Sequence, residues 1–171
     1  IEFTNKNYEE QVADWQYLFL DSVKLRMRSD VSIGSALSGG LDSSSVVAAM
    51  NHISENNRDK RFSDDWQHLF CSSFPGSIND ETKWAKKMAD NLSMPLNKLV
   101  YNPSSYPFNL EESIAMVEDP YLTIPLPMLF TYREIKRNGI NVTLDGHGSD
   151  ELFSGYGHIK KAISATKNKE R

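Results

Sequence analysis

Apolar residues near the start of the chain recur at steps of three and four positions, which is the spacing of one face of an α-helix. The positions on this face are Tyr8, Val12, Trp15, Phe19 and Val23. Asn7 precedes them and stands three residues before Glu10, the spacing of a capping pair. The pattern predicts an amphipathic helix that begins at Tyr8 and ends near "KLRMRSD", whose positive charges suit the carboxyl end of a helix.

Short apolar runs alternate with segments of helical spacing along the rest of the chain. The runs that predict strands are "VSIGSAL" (31–37), "WQHLFCSSF" (66–74), "PLNKLVY" (95–101) and "INVTLD" (140–145). The segments that predict helices are "SSSVVAAM" (43–50), "INDETKWAKKMADNL" (78–92), "LEESIAMV" (110–117) and "MLFTYREIKRNG" (128–139). This alternation predicts an α/β fold with an open, largely parallel sheet flanked by helices.

Composition and charge narrow the class of protein. The chain has 171 residues, 39% of them hydrophobic, which fits a single globular domain over 1–171. The net charge is -4, and the Lys-rich tail at 160–171 is expected to be flexible. No other block of like charge indicates a nucleic-acid or membrane surface, and no run approaches the roughly 20 apolar residues of a membrane span.

The sequence contains one cysteine, Cys71. A single cysteine excludes an internal disulfide and any zinc cluster built from cysteines. It also suggests a reducing compartment, so we expect a cytoplasmic protein in which this thiol is buried.

The segment "ALSGGLDSSSVV" joins the first predicted strand to the next helix. Gly39 and Gly40 allow a tight turn and let backbone N–H groups approach an anion, while the positive end of the helix points to the same place. Hydroxyl groups are supplied by Ser38, Ser43 and Ser44. The segment therefore predicts a phosphate cradle, although it matches neither the GxxxxGK[ST] loop nor GxGxxG.

Acidic residues accompany both glycine-bearing turns of the sequence. Asp42 beside a polyphosphate would be repelled by it, so a functional Asp42 calls for a bridging Mg²⁺; the alternative is that Asp42 or Ser43 simply caps the helix. The later turn, "TLDGHGSDELFSGY", carries Asp145, Asp150 and Glu151. These acids could equally be the polar end of a strand and the first turn of another helix.

The two turns resemble the motifs of one family. "SALSGGLDSSS" resembles the SGGxDS pyrophosphate loop of the N-type ATP pyrophosphatases, and "RMRSDVSIGSALSGGLDSS" is similar to the synthetase domain of the glutamine-dependent asparagine synthetases. "LDGHGSDELFSGY" resembles that family's later pattern, [SD]GxGxDExxxGY, and "NDETKWAKKMA" and "VEDPYLTIPLP" resemble further segments. The resemblance runs from about Tyr8 to Tyr156 and implies an adenine nucleotide alpha hydrolase-like fold, that of the PP-loop ATP pyrophosphatases.

The resemblance implies a role for each matching residue. The β- and γ-phosphates of ATP would bind Ser38, Gly39, Gly40, Ser43 and Ser44. Asp42 and Asp150 would hold Mg²⁺ between them, and the adenine would meet backbone groups of Leu37 and Ser72. Asp145 and Gly146 would lie along the nucleoside. The implied reaction adenylates a carboxylate, aspartate in the family, releases pyrophosphate and then amidates the acyl-adenylate with ammonia from glutamine.

His147 departs from the resemblance. Asparagine-forming members usually carry a glutamate at this position, linked to handling of the adenylate intermediate. An imidazole cannot replace a carboxylate as an anion, so aspartate competes with other carboxylates as the expected substrate. Tyr156 matches the end of the later motif and is either a core aromatic or a ligand contact.

The resemblance also implies partners. ATP and a carboxylate are the small-molecule partners, a glutaminase domain lies upstream in the full-length protein, and a homodimer is compatible with the family. The chain is then a fragment that does not complete catalysis alone. A tRNA-thiolating relative is disfavoured because the chain offers no basic patch or catalytic cysteines. A nucleotide-binding module without catalysis would be indicated by loss of Asp42 or Asp150, and both are present.

Overall fold

A computed structural model of the chain describes residues 5–56, 65–102, 104, 110–118, 126–153 and 155–157. The helices are α1 (Tyr8–Arg26), α2 (Leu41–Asn56), α3 (Thr82–Asn91), α4 (Leu110–Val117), α5 (Leu126–Arg137) and α6 (Ser149–Phe153). The strands are β1 (Ile33–Ala36), β2 (Gln67–Ser73), β3 (Leu96–Val100) and β4 (Val142–Thr143). The tail at 160–171 and most of "VEDPYLTIPLP" lie outside the described residues.

The four strands form one parallel sheet in the order β3-β2-β1-β4, which confirms the predicted fold class. Chain order runs in one direction from β1 to β3 and in the other from β1 to β4. Open parallel sheets bind ligands beyond the carboxyl ends of their strands where the order reverses in this way. Both glycine-bearing turns follow the two strands that meet at that point, β1 and β4.

β4 is shorter than the predicted strand over 140–145, and side-chain pairing explains the difference. Leu144 still donates its N–H to the carbonyl of Gly34 at 2.9 Å. One position further on, the N–H of Ala36 donates to the carboxylate of Asp145 at 2.6 Å. The ladder of hydrogen bonds between β1 and β4 therefore ends with the side chain of Asp145 in place of a backbone carbonyl. The chain leaves the sheet at this residue.

Helices cover both faces of the sheet, as alternation along β2 requires. Leu69 and Cys71 are buried in a cluster with Ala85 and Ala89 of α3. Phe70 points to the other face and packs against Phe130 of α5. Burial of each large apolar side chain contributes roughly 1.5–3 kcal/mol, so the two layers fix the sheet between them. The prediction that Cys71 is buried is confirmed.

The first helix is confirmed together with its capping box, in which Asn7 accepts from the Glu10 N–H at 2.9 Å and Glu10 accepts from the Asn7 N–H at 2.9 Å. Its predicted apolar face is buried only near the carboxyl end, at Val23, whereas Tyr8 is 80% exposed. The reason is that the cluster with α2 and β1 reaches only the second half of α1. Within the described part of the chain, none of the helices combines the length and apolar character needed to cross a membrane.

Candidate functional site

A cavity of about 350 Å³ lies beyond the carboxyl ends of β1, β2 and β4. Most of the site residues predicted from sequence line it: Leu37, Ser38, Asp42, Ser43, Ser72, Asp145, Gly146, His147 and Asp150. Among the described residues, Gly39, Gly40 and Ser44 lie next to this wall rather than on it. The fold therefore gathers residues from the two glycine-bearing turns and from the carboxyl end of β2 around one space.

Hydrogen bonds within the loop after β1 hold it in a defined shape. Ser38 Oγ lies 3.0 Å from Ser43 Oγ and accepts from the Gly40 N–H at 3.1 Å. The N–H of Ser44 donates to the Gly40 carbonyl at 3.1 Å, which begins the bonding of α2. The serine side chains of the cradle thus tie the loop to the amino end of the helix, where an anion is favoured.

Gly39 brings the same loop against α3. Its φ is +83°, and a Cβ at this position would lie 2.4 Å from the backbone N of Ala85. Only glycine meets both requirements, because an L side chain rarely adopts this conformation and no space exists for a methyl group. The need for glycine here is therefore a matter of backbone packing as well as ligand approach.

Gly146 plays the equivalent part in the second turn. A Cβ on Gly146 would lie 2.6 Å from the backbone N of Ser43 and 2.6 Å from the backbone C of Asp42. The turn after β4 therefore packs directly on the first turn of α2. The two motifs, distant in sequence, touch through their backbones.

This contact places three carboxylates near one another. The pKa of Asp42 is raised, first because burial disfavours the charged form and then because Asp150 and Glu151 add negative charge. Asp150 and Glu151 lie in the first turn of α6, which is the structural alternative left open by the sequence, and they also line the cavity. The arrangement gathers negative charge that a cation would neutralise.

Asp42 and Asp150 both line the cavity and offer carboxylate oxygens to a cation. The described residues contain no group of three or more His, Cys, Asp or Glu side chains that could hold a metal. Mg²⁺ typically binds through one or two carboxylates and completes its shell with water and phosphate oxygens. The donor set therefore fits Mg²⁺ on a polyphosphate.

Gly155 lies against the carboxylate of Asp150. A Cβ on Gly155 would come within 1.7 Å of Asp150 Oδ1, and the Gly155 N–H donates to the Asp150 carbonyl at 3.0 Å. The next residue, Tyr156, donates its hydroxyl to Glu151 at 3.0 Å and is 40% exposed on the cavity wall. Tyr156 is thus not a core aromatic.

Asp145 is held by two donors from different elements. One carboxylate oxygen accepts from the Ala36 N–H at 2.6 Å and the other from the Tyr132 hydroxyl at 2.9 Å. Burial, and then the charge of Asp145, raise the pKa of Tyr132, so this phenol stays a donor near neutral pH. Sequence reasoning missed Tyr132, because helical spacing identifies α5 but not the partner of one of its side chains.

The end of the cavity nearest β2 is formed by residues that the motifs did not indicate. Phe70, Cys71, Phe74 and Thr131 line it together with Ser72. Burial is also the main reason that the pKa of Cys71 is raised, which keeps the thiol neutral. His147 is exposed and lies on the wall formed by the second turn. The cavity thus has apolar side chains toward β2 and carboxylates toward the second turn, with Asn79 and Glu81 also on its wall.

Comparison with known proteins places this chain in a family. Residues 14–171 match the Asn_synthase family model, described as asparagine synthase. The chain is 35% identical over 149 residues to an asparagine synthetase [glutamine-hydrolyzing] of Zea mays, with 85% of this chain and 25% of that protein covered. It is 32% identical over 169 residues to asparagine synthetase B [glutamine-hydrolyzing] of Escherichia coli, with 95% and 29% covered.

A weaker likeness exists to a solved structure, the U34-tRNA thiolase NcsA from Methanococcus maripaludis. It has a TM-score of 0.48 and 14% identity, and it covers 77% of this chain and 46% of that one. The chain spans about a quarter of the length of the curated relatives named above. On the family match and these identities, the chain belongs to the asparagine synthase family.

Proposed function

We propose that the cavity binds ATP with Mg²⁺ and that the chain is the adenylating part of an amide-forming ligase. The observation that carries this proposal is the backbone contact between the two motifs, which brings Asp42 and Asp150 to one space beside the serine loop. A phosphate cradle next to paired carboxylates suits a metal-bound polyphosphate. The apolar end of the same cavity suits a nucleobase.

We assign each group at the acidic end a role in this proposal. Ser38, Ser43, Ser44 and the backbone of Gly39 and Gly40 bind the two phosphates that leave as pyrophosphate. Asp42 and Asp150 hold Mg²⁺, which when bound neutralises charge on those phosphates. The carboxylate substrate attacks the α-phosphorus, pyrophosphate departs, and an amine then displaces AMP from the acyl-adenylate. The contribution of the protein is mainly positioning and charge stabilisation.

The nucleoside would run along the second turn toward β2. Asp145 uses both carboxylate oxygens to hold Ala36 and Tyr132, so it fixes the turn on which Gly146 faces the cavity. Leu37 and Ser72 then flank the base. Asp145 acts in this proposal by shaping the nucleoside site.

The substrates follow from the names of the relatives. Both matched proteins are called glutamine-hydrolyzing asparagine synthetases, so we propose aspartate as the carboxylate and ammonia from glutamine as the amine, with an upstream glutaminase domain as its source. His147 is exposed at the cavity wall where the family usually has glutamate. A non-aspartate carboxylate is therefore the alternative to be tested beside aspartate.

Calorimetry with ATP in the presence and absence of Mg²⁺ tests the site. We expect Asp42→Asn in the full-length protein to weaken Mg²⁺-dependent ATP binding about 10- to 100-fold, the range for losing one charged contact. Asp14→Asn is the matched control, because Asp14 pairs with Lys6 on the exposed surface of α1. ATP binding that survives both Asp42→Asn and chelation of Mg²⁺ contradicts the proposed metal bridge.

A further inference from the structure

The turn after β4 is held by two helices that cover opposite faces of the sheet. Toward α2, Gly146 packs so closely that a Cβ would lie 2.6 Å from the backbone C of Asp42 and 2.6 Å from the backbone N of Ser43. Toward α5, Asp145 accepts from the Tyr132 hydroxyl at 2.9 Å. α2 and α5 belong to separate clusters of the core. The position of the turn therefore depends on both layers.

Three hydrogen bonds from β1 hold the end of β4. The N–H of Leu144 donates to the Gly34 carbonyl at 2.9 Å, and its carbonyl accepts from the Ser35 hydroxyl at 2.9 Å. The Ala36 N–H donates to Oδ1 of Asp145 at 2.6 Å. These bonds fix where the strand ends, but a carboxylate held at one oxygen can still rotate about that bond.

The Tyr132 hydroxyl supplies a second attachment to the same carboxylate. It donates to Oδ2 of Asp145, so two donors from different elements together fix the plane of the carboxylate. The phenol is itself held in place, because Tyr132 packs against the cluster that contains Phe70 and Phe130. Rotation of the Asp145 side chain would break one of the two bonds.

The orientation of Asp145 determines where α6 begins. Gly146 follows Asp145 directly, and its carbonyl accepts from the Ser149 hydroxyl at 3.3 Å. Asp150 is the next residue and lies in the first turn of α6. A rotation at Asp145 would therefore displace Asp150 and change its separation from Asp42.

We propose that Tyr132 is a positioning residue that sets the separation of Asp42 and Asp150. The step rests on the proposed function, in which these two carboxylates hold Mg²⁺ on the phosphates of ATP. Tyr132 does not line the cavity, whereas Asp145 does, so Tyr132 acts on the site through Asp145. Neither the motifs nor the family resemblance assigned a role to Tyr132.

The enhancement of ATP affinity by Mg²⁺ isolates this role. Calorimetry on the full-length protein gives the affinity for ATP with Mg²⁺ and with EDTA, and the enhancement is the ratio of the two. A change in the nucleoside contacts alters both affinities and cancels in the ratio, whereas a displaced carboxylate lowers only the affinity with Mg²⁺. We expect Tyr132→Phe to reduce the enhancement about three- to tenfold, the range for one lost hydrogen bond, with little change in thermal unfolding.

Tyr17→Phe is the matched control, because it removes the same atom from a side chain that is 70% exposed on α1. This variant should keep the wild-type enhancement. An unchanged enhancement in folded Tyr132→Phe, or a fall of both affinities by the same factor, overturns the inference while the proposed function stands. Wild-type protein that binds ATP no better with Mg²⁺ than with EDTA contradicts the proposed metal bridge itself.

A second variant tests whether Tyr132 acts through Asp145. Asp145→Ala removes both attachments and should reduce the enhancement at least as much as Tyr132→Phe. Adding Tyr132→Phe to Asp145→Ala should cause no further loss, because residues that act through one contact are not additive. A further loss overturns the inference. If Tyr132→Phe does not fold, Asp145→Ala alone decides, and an unchanged enhancement in that variant overturns the inference.

Discussion

At the scale of single residues, Gly155 sets where the Asp150 carboxylate can lie. An alanine at this position would add a Cβ that meets Asp150 Oδ1 at 1.7 Å and pushes the carboxylate away. We expect Gly155→Ala to lower the affinity for ATP with Mg²⁺ about tenfold, measured by calorimetry, with little change in thermal unfolding.

Gly157→Ala is the control for this substitution. A Cβ on Gly157 would meet nothing within 4 Å, so this change alters the same segment without touching the carboxylate. Equal affinities in the two variants would contradict the role given to Gly155.

At the scale of elements, the Asp80 carboxylate holds the segment between β2 and α3 in place by hydrogen bonds. One carboxylate oxygen accepts from the Ser73 hydroxyl at 2.8 Å and from the Phe74 N–H at 3.0 Å. The other accepts from the Thr82 N–H at 2.9 Å and from the Thr82 hydroxyl. These bonds favour the charged form and lower the pKa of Asp80 to about 2. The segment also supplies Phe74 to the cavity wall.

The lowered pKa gives a prediction for acid stability. A carboxyl with a folded pKa below its unfolded value, about 3.9, stabilises the fold above that value and loses this contribution as the pH falls toward 2. Asp80→Asn should therefore lower the thermal midpoint at pH 7 and flatten its decline between pH 4 and pH 2. Thermal unfolding followed by circular dichroism across that range measures both effects.

Asp90→Asn provides the comparison, because Asp90 forms an exposed pair with Lys86 on α3. Surface pairs of this kind contribute little, so the variant should follow the wild-type curve. A constant difference between wild type and Asp80→Asn from pH 7 to pH 2 would refute the linkage.

At the scale of the whole molecule, periodicity predicts most of the fold and says little about contacts between distant segments. The four strands and the short helix over 110–117 follow from local spacing. The parallel sheet that the four strands form is confirmed. The short β4 is not foreseeable, since it depends on a carboxylate, Asp145, that replaces a backbone acceptor. The exposed half of α1 likewise depends on how far α2 and β1 extend beneath it.

The candidate site also contains residues that the sequence identifies and residues that only the structure reveals. Resemblance identifies Asp42 and Asp150, because the residues stand in short motifs, and the structure brings both to the cavity. Tyr132 and Thr131 belong to no motif, and their hydrogen bonds join α5 to the turn after β4 and to β2. Such partners become visible only when the sheet has set the distance between the elements.

Exchange of labelled pyrophosphate into ATP tests the central claim most directly, because it reports formation of the acyl-adenylate. The full-length protein is assayed with Mg²⁺ and a panel of carboxylates that includes aspartate, and Asp150→Asn is assayed beside it. We predict exchange that depends on one carboxylate, aspartate first, and that falls at least about 100-fold in the variant. ATP binding without carboxylate-dependent exchange for any acid in the panel would contradict the account.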